Sequence, residues 1–140
     1  MSTVEEILMV KGPDVIVSSP TSSVAEAVKL MADARVGSLI VKDGEDVVGI
    51  FTERDLLCRV VARDRDPEAL MLADVMSSPV ATCGLGDDVR DVADMLAEQH
   101  IRHLVVVDGG AVVGMIGARD LLAAELRDSR ERMEALRQVD

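Results

Sequence analysis

The sequence predicts an α/β (α+β) protein made of two tandem copies of one β-α-β-β-α unit. Three observations carry this. The first is an internal repeat. Shifted by 65 residues, Leu39–Leu57 (LIVKDGEDVVGIFTERDLL) falls on Leu104–Leu122 (LVVVDGGAVVGMIGARDLL) with 11 of 19 positions identical and no gap. The second is periodicity: short β-branched runs exchange with stretches whose apolar residues recur at helical spacing. The third is composition. Of 140 residues, 49% are hydrophobic and only Phe51 is aromatic, so the core is built from Val, Leu, Ile, Ala and Met. A unit of about 50 to 60 residues is marginal alone by its surface-to-volume ratio, so the copies are expected to pack on shared apolar faces.

The elements follow in order. Thr3, with Glu6 three residues on, caps a short helix carrying Ile7, Leu8 and Val10. Val15–Val17, bounded by Pro13 and Pro20, is a short strand. Ser23 and Glu26 form a capping box for a helix over Val24–Arg35, with Val24, Ala27, Val28 and Met31 on one face. Ser38–Lys42 and Val47–Phe51 are strands joined at the turn signal Asp43-Gly44. Thr52 and Asp55 resemble a second capping box and open a helix to about Arg63. In copy two the strand is Val80–Thr82, and Asp87 or Asp88 caps a helix bearing Val89, Val92, Ala93 and Leu96. His103–Val107 and Ala111–Ile116 form the hairpin across Asp108-Gly109-Gly110, and a last helix runs from near Ala118 to about Arg137. The link contains Asp66-Pro67-Glu68, a helix start with Pro at the first position, and its apolar residues make it an ordered connector. Its end, Leu72–Met76, matches the N-terminal helix ahead of copy one. The divisions are 1–65 (first repeat with its N-terminal helix), 66–76 (connector helix), 77–126 (second repeat) and 127–140 (a charged helical extension).

Charge excludes several functions. Fifteen Lys and Arg against 26 Asp and Glu leave a net charge of −11, which repels phosphate backbones. Single-strand binders also stack bases on aromatics that this chain lacks, so no nucleic-acid partner is expected. Cys58 and Cys83 have no metal-ligand spacing, and His100 and His103 complete no zinc pattern with them. Met1–Val10 has no basic region before its apolar run, and no stretch approaches the ~20 apolar residues of a membrane helix. The expectation is a cytoplasmic protein with no membrane partner. No nucleophile, base and orienting group stand in a recognisable pattern, and no required cofactor or metal is signalled, so it is not read as an enzyme.

One motif occurs twice. Gly49-Ile50-Phe51-Thr52-Glu53-Arg54-Asp55 ends the first hairpin and starts a helix. Gly114-Met115-Ile116-Gly117-Ala118-Arg119-Asp120 does the same in copy two, with Gly117 in place of the hydroxyl residue. A helix start offers unpaired N–H groups and partial positive charge to an anion. A carboxylate in the first turn accepts from two ribose hydroxyls at once. The plain alternative is that Thr52, Asp55 and Asp120 only cap helices.

From about Thr3 to Leu126 the chain resembles the tandem cystathionine-β-synthase (CBS) domain family, whose adenosine-nucleotide motif is Gly, hydrophobic, any, Thr or Ser, any, any, Asp. Copy one matches fully and copy two departs at Gly117. The resemblance implies two CBS repeats packed as a pseudo-two-fold pair and a flat dimer of such pairs. It further implies an adenosine-containing ligand (AMP, ATP, NAD or S-adenosylmethionine) in a cleft between the copies, and a regulatory module acting on a partner protein that this chain does not encode. The implied contacts are Arg54 and Arg119 beside each Asp, and Arg102 and His103 before the strand of copy two. Ser38 is the uncharged counterpart in copy one, and Lys11 is a further phosphate contact. The backbone of Ile16, Val17 and Ser18, or of Ala81 and Thr82, is expected to read the adenine edge. The better site is expected to combine Thr52 and Asp55 with Arg102 and His103. The competing readings are an interaction scaffold with degenerate sites and a redox sensor using Cys58 and Cys83.

Leu56-Leu57-Cys58, Val60-Val61 and Leu121-Leu122-Ala123-Ala124 are apolar around much of a helix, which calls for cover on a second face. The expected outcome is a homodimer by light scattering; a monomer at tens of micromolar overturns it.

Overall fold

A computed structural model describes residues 2–12 and 15–138. Pro13, read above as the boundary before the first strand, lies outside them, as do Met1, Asp14, Val139 and Asp140. The chain divides into two units: residues 15–80, and residues 81 onward together with the N-terminal segment before residue 15. The N-terminal helix, placed by sequence order with the first repeat, therefore belongs structurally to the second.

In the first unit, β1 (Val17–Ser18) leads into α2 (Val24–Ala34); α1 is the N-terminal helix (Val4–Lys11). Ser23 caps α2 by accepting from the Glu26 amide at 3.1 Å. Next come β2 (Ser38–Asp43) and β3 (Asp46–Thr52), a hairpin turning at Gly44, whose φ of 62° a side chain would strain. The sheet order is β1-β2-β3, with β1 parallel to β2 and β2 antiparallel to β3. The first strand falls two residues later than Val15. The parallel ladder sets its place, with Ile40 N donating to Ile16 O at 2.9 Å. A helical segment over residues 53–63, α3, starts as α (Glu53–Asp55), widens to a π-turn (Leu56–Val60) and tightens to 3₁₀ (Val61–Arg63).

The connector differs from expectation. Residues 67–69 form a turn, with Asp66 accepting from Ala69 N and Glu68 N, and only α4 (Leu72–Val75) is helical. The reason is hydrogen-bond demand. The carbonyls of Pro67 and Leu70 accept from Ala25 and Val24, the first amides of α2, at 2.9 Å each, so they are not spent within a connector helix. In return, the amides of Leu72 and Ala73 donate to Ser22 O and Pro20 O.

The second unit repeats the plan with β4 (Thr82–Gly84), α5 (Val89–Gln99), β5 (His103–Asp108), β6 (Ala111–Gly117) and α6 (Ala118–Arg137), in sheet order β4-β5-β6. Asp88 is the cap of α5, accepting from Arg90 N, while Asp87 accepts from Gly84 N. Here α1 takes the part that α4 plays in the first unit: Val4 N and Glu5 N donate to Asp87 O and Leu85 O. Thr3 and Glu6 form the reciprocal capping box expected of them.

Each unit has its own core. Phe51 is fully buried with Leu39, Val41, Val24, Met31 and Leu72 in the first. Leu104, Val106, Ile116, Val92 and Val4 form the second. The only aromatic ring is thus a core residue and offers a ligand no stacking face.

Glycine admits the borrowed segments. A Cβ on Gly49 would stand 2.5 Å from Met76 Sδ and 3.1 Å from the Ser77 carbonyl oxygen. On the equivalent Gly114 it would stand 2.7 Å from Leu8 Cδ2. Gly49→Ala is expected to cost about 1–3 kcal/mol by overpacking, as read by thermal unfolding. Gly114→Ala should cost less, because only the tip of Leu8 must move, and Met76→Ala should recover part of the Gly49→Ala loss.

Cys83 lies buried in β4, and Cys58 is exposed. Burial, then the neighbouring Asp87 carboxylate, pushes the Cys83 thiol up from 9.0 to about 11. At neutral pH a thiol reagent should therefore label Cys58 and reach Cys83 only on unfolding. Because the folded state holds this proton more tightly, stability should be flat below pH 9.0 and fall as pH rises towards about 11. The slope from this group is ~1.4 kcal/mol per pH unit. A Cys83→Ala variant should lack that component.

Candidate functional site

Both motif loops sit where a hairpin strand passes into a helix. In the first unit, β3 ends at Thr52 and α3 begins. Thr52 Oγ1 accepts from Asp55 N at 3.1 Å, and Asp55 Oδ2 accepts from Thr52 N at 3.1 Å. This is a reciprocal capping box with Asp in the role of Glu. The other carboxylate oxygen, Oδ1, accepts from Ser77 Oγ at 2.9 Å, and Arg59 Nε lies 3.8 Å from it. Arg59 also donates to the carbonyls of Val75 and Met76, closing the end of α4. Thr52 and Asp55 are buried, at 8% and 6% exposure.

The second loop is more open. Asp120 Oδ2 accepts from Gly117 N at 2.8 Å and from Lys11 Nζ at 2.9 Å. Among the described residues, every hydrogen bond to Asp120 falls on Oδ2. Its side chain is 23% exposed. Lys11 Nζ also donates to Met115 O at 2.7 Å. In the first unit, Ile50 is the counterpart of Met115, and Ser77 N donates to its carbonyl at 2.8 Å. One ammonium group in the second unit thus replaces two donors of Ser77, the backbone amide and the hydroxyl. The carboxylate with acceptor capacity towards solvent is Asp120, whereas Asp55, the one favoured on motif match, is closed over by its own unit.

The departure at Gly117 has a structural reason. Ser38 pairs with Thr52 across the first hairpin, and His103 pairs with Gly117 across the second. A Cβ on Gly117 would stand 3.3 Å from His103 Cδ2 and 3.4 Å from Nε2. The bulk has moved across the strand pair: a small residue faces a hydroxyl residue in one unit, and an imidazole faces glycine in the other.

The remaining candidates fall into two sets. Ile16, Val17, Ser18, Ser38, Arg54, Thr52 and Asp55 belong to the first unit. Lys11, Ala81, Thr82, Arg102, His103, Arg119 and Asp120 belong to the second. Arg54, Arg102 and Arg119 are exposed. Ala118 N donates to Arg102 O at 3.0 Å, so Arg102 is anchored by its backbone beside the start of α6 with its guanidinium chain exposed. β1 and β4 are edge strands. The carbonyls of Ile16 and Ala81 serve the ladder, accepting from Ile40 N and Val105 N. Strand alternation therefore turns the amide groups of Val17 and Thr82 outward, where a planar heterocycle can be read. Ser77 was missed in the sequence because it lies 22 residues from Asp55 and nothing local ties the two, whereas Arg59, four residues on in the same helical segment, was signalled by acid-to-base spacing and was overlooked. Among the described residues, no group of three or more His, Cys, Asp and Glu is placed to hold a metal, and no helix is long and apolar enough to cross a membrane.

The CBS-domain family model matches residues 4–62 and 72–127, once in each repeat. A solved protein with CBS domains from Burkholderia ambifaria is 32% identical, with a TM-score of 0.82 over 91% of this chain and 96% of that one. A CBS domain protein from Pyrobaculum aerophilum, solved in complex with AMP, is 28% identical, with a TM-score of 0.73 over 85% of this chain and 89% of that one. A protein of Methanopyrus kandleri is 34% identical over 80% of this chain, which spans 58% of that protein's length. With two matched repeats, two three-stranded sheets and neighbours of the same plan, the chain belongs to the CBS-domain family.

Proposed function

We propose that this chain is a regulatory module that binds an adenosine-containing ligand, of the class AMP, ATP, NAD or S-adenosylmethionine, with no catalysis of its own. The carrying observation is the Asp120 loop. It pairs a carboxylate of spare acceptor capacity with the start of a 20-residue helix, and Lys11 lies within hydrogen-bond reach. The carboxylate takes ribose hydroxyls, and the outward amide groups of Thr82 take the adenine edge. Exposed Arg102 and Arg119 take phosphate, and His103 lies against Gly117 at the helix start. A phosphate also competes with Asp120 for Lys11, so ligand charge and the carboxylate are coupled through one ammonium. The AMP complex of the Pyrobaculum relative supports the ligand class. Regulation follows if the ligand binds two arrangements of the protein with different affinity, which is the only source of free energy for a shift. The module works as a homodimer in the cytoplasm on a separate target protein; exposed Leu57, Val61 and Leu122 supply apolar surface for association.

A second reading is favoured by the first loop. Asp55 is buried and bonded on both oxygens, as expected of a scaffold whose nucleotide site has become structural.

The chain has no Trp or Tyr, so an adenine compound carried through purification stands out in its ultraviolet spectrum. Heat release and mass spectrometry then identify it. In calorimetric titration Asp120→Ala is expected to weaken binding about 10- to 100-fold, the worth of hydrogen bonds to a charged group. Asp55→Ala should instead cost about 1 kcal/mol of stability through its lost cap and change affinity less. No binding of any of the four ligands selects the scaffold reading, and equal affinity in wild type and Asp120→Ala overturns the assignment of the site to the Asp120 loop.

A further inference from the structure

The last turn of α1 has no counterpart in α4. Leu8 faces Gly114 as Met76 faces Gly49, so the two flanking helices correspond up to that point. Beyond it they differ. After Met76 the chain leaves the helix, and Ser77 exchanges two backbone hydrogen bonds with Ile50. After Leu8 the helix continues through Met9, Val10 and Lys11. Seven positions separate Leu8 from Val15 and four separate Met76 from Val80, so the second unit holds about one extra helical turn. Met9 and Val10 add little to the core, at 79% and 68% exposure. What the turn adds is an ammonium group, which donates to Asp120 Oδ2 at 2.9 Å and to Met115 O at 2.7 Å.

That ammonium stands where a ligand has to bind. A carboxylate oxygen offers two lone pairs, and those of Oδ2 go to Gly117 N and Lys11 Nζ. With Lys11 in place, Asp120 can hold a ribose diol on Oδ1 but not with one hydroxyl on each oxygen. Withdrawing Lys11 opens Oδ2, yet it also strips Met115 O of a donor, so the departure has a cost. A phosphate on the incoming ligand offsets that cost, because the ammonium exchanges one charged acceptor for another. A neutral nucleoside offers Lys11 no anion and has to compete with it for the carboxylate. The stem is long and the side chain is 40% exposed, so the exchange needs no opening of the core.

We propose that Lys11 is an anion gate on the Asp120 site: it holds the ribose-binding oxygen until a phosphate on the same ligand draws it off, and so selects phosphorylated adenosine compounds over the neutral nucleoside. The proposal rests on the nucleotide reading and narrows its ligand class. The test is calorimetric titration of the full chain with AMP and with adenosine, in wild type, Lys11→Met and Lys11→Gln, with thermal unfolding to confirm the fold. Wild type should bind AMP at least about tenfold more tightly than adenosine. Both variants should bind AMP about 10- to 100-fold more weakly, having lost a charged partner for the phosphate. Both should bind adenosine about two- to tenfold more tightly, because Oδ2 is released. The opposite signs separate a gate from a structural lysine, whose loss weakens both ligands together. Lys11→Gln keeps a donor without the charge, so agreement between the two variants assigns the effect to charge. Adenosine affinity that falls or stays level in the folded variants overturns the gate, as does unchanged AMP affinity. A wild type that binds neither ligand overturns the nucleotide reading itself, and the gate with it.

Discussion

A carboxylate at each strand-to-helix junction organises this protein. Asp55 and Asp120 reach back to the amides of residues 52 and 117 at 3.1 and 2.8 Å, which turns the chain sharply from a hairpin strand into a helix. That turn puts the helix start beside the residue that leads into the neighbouring strand, with Glu53 N donating to Gly37 O and Ala118 N to Arg102 O. It also fixes a negative group where unpaired amides and partial positive charge converge. Cap and candidate ligand contact are therefore one feature. What separates structure from function is how many of the carboxylate's acceptor sites the protein itself consumes.

Here the two repeats diverge. In the first unit, the segment after α4 brings Ser77 onto Asp55 Oδ1 and Arg59 Nε lies 3.8 Å from the same oxygen, so the carboxylate is buried and bonded. In the second, α1 occupies the place of α4, and its final residue, Lys11, supplies an ammonium group instead of a hydroxyl and an amide. A seryl hydroxyl inside a short ladder is fixed. A lysine on a flexible stem, 40% exposed, can exchange Asp120 for another anion. The same exchange of bulk between Ser38 with Thr52 and His103 with Gly117 makes the second loop chemically distinct although its backbone is the same.

Much of this was legible in sequence. The duplication, the two hairpins with their turns, the caps at Thr3, Ser23, Thr52 and at either Asp87 or Asp88, and the family itself all rest on local patterns of spacing and residue type. The connector was misjudged as a helix because Asp66-Pro67-Glu68 carries a good local start signal. The carbonyls it would need are claimed by α2 instead. The closing of Asp55 was not legible either, since Ser77 lies 22 residues away and nothing near it signals a partner.

Outside the connector, the sequence by itself determined which segments are strands and helices, where helices start, and that two copies of one plan exist. Each of these depends on neighbours within a few residues, through periodic burial and capping. Tertiary structure decided which copy each flanking segment serves, sending α1 to the second unit and α4 to the first. It also decided which of two equivalent carboxylates stays open. Those choices turn on contacts between residues far apart in the chain, where shape against Gly49 and Gly114 and the demand of α2 and α5 for carbonyl partners select the packing.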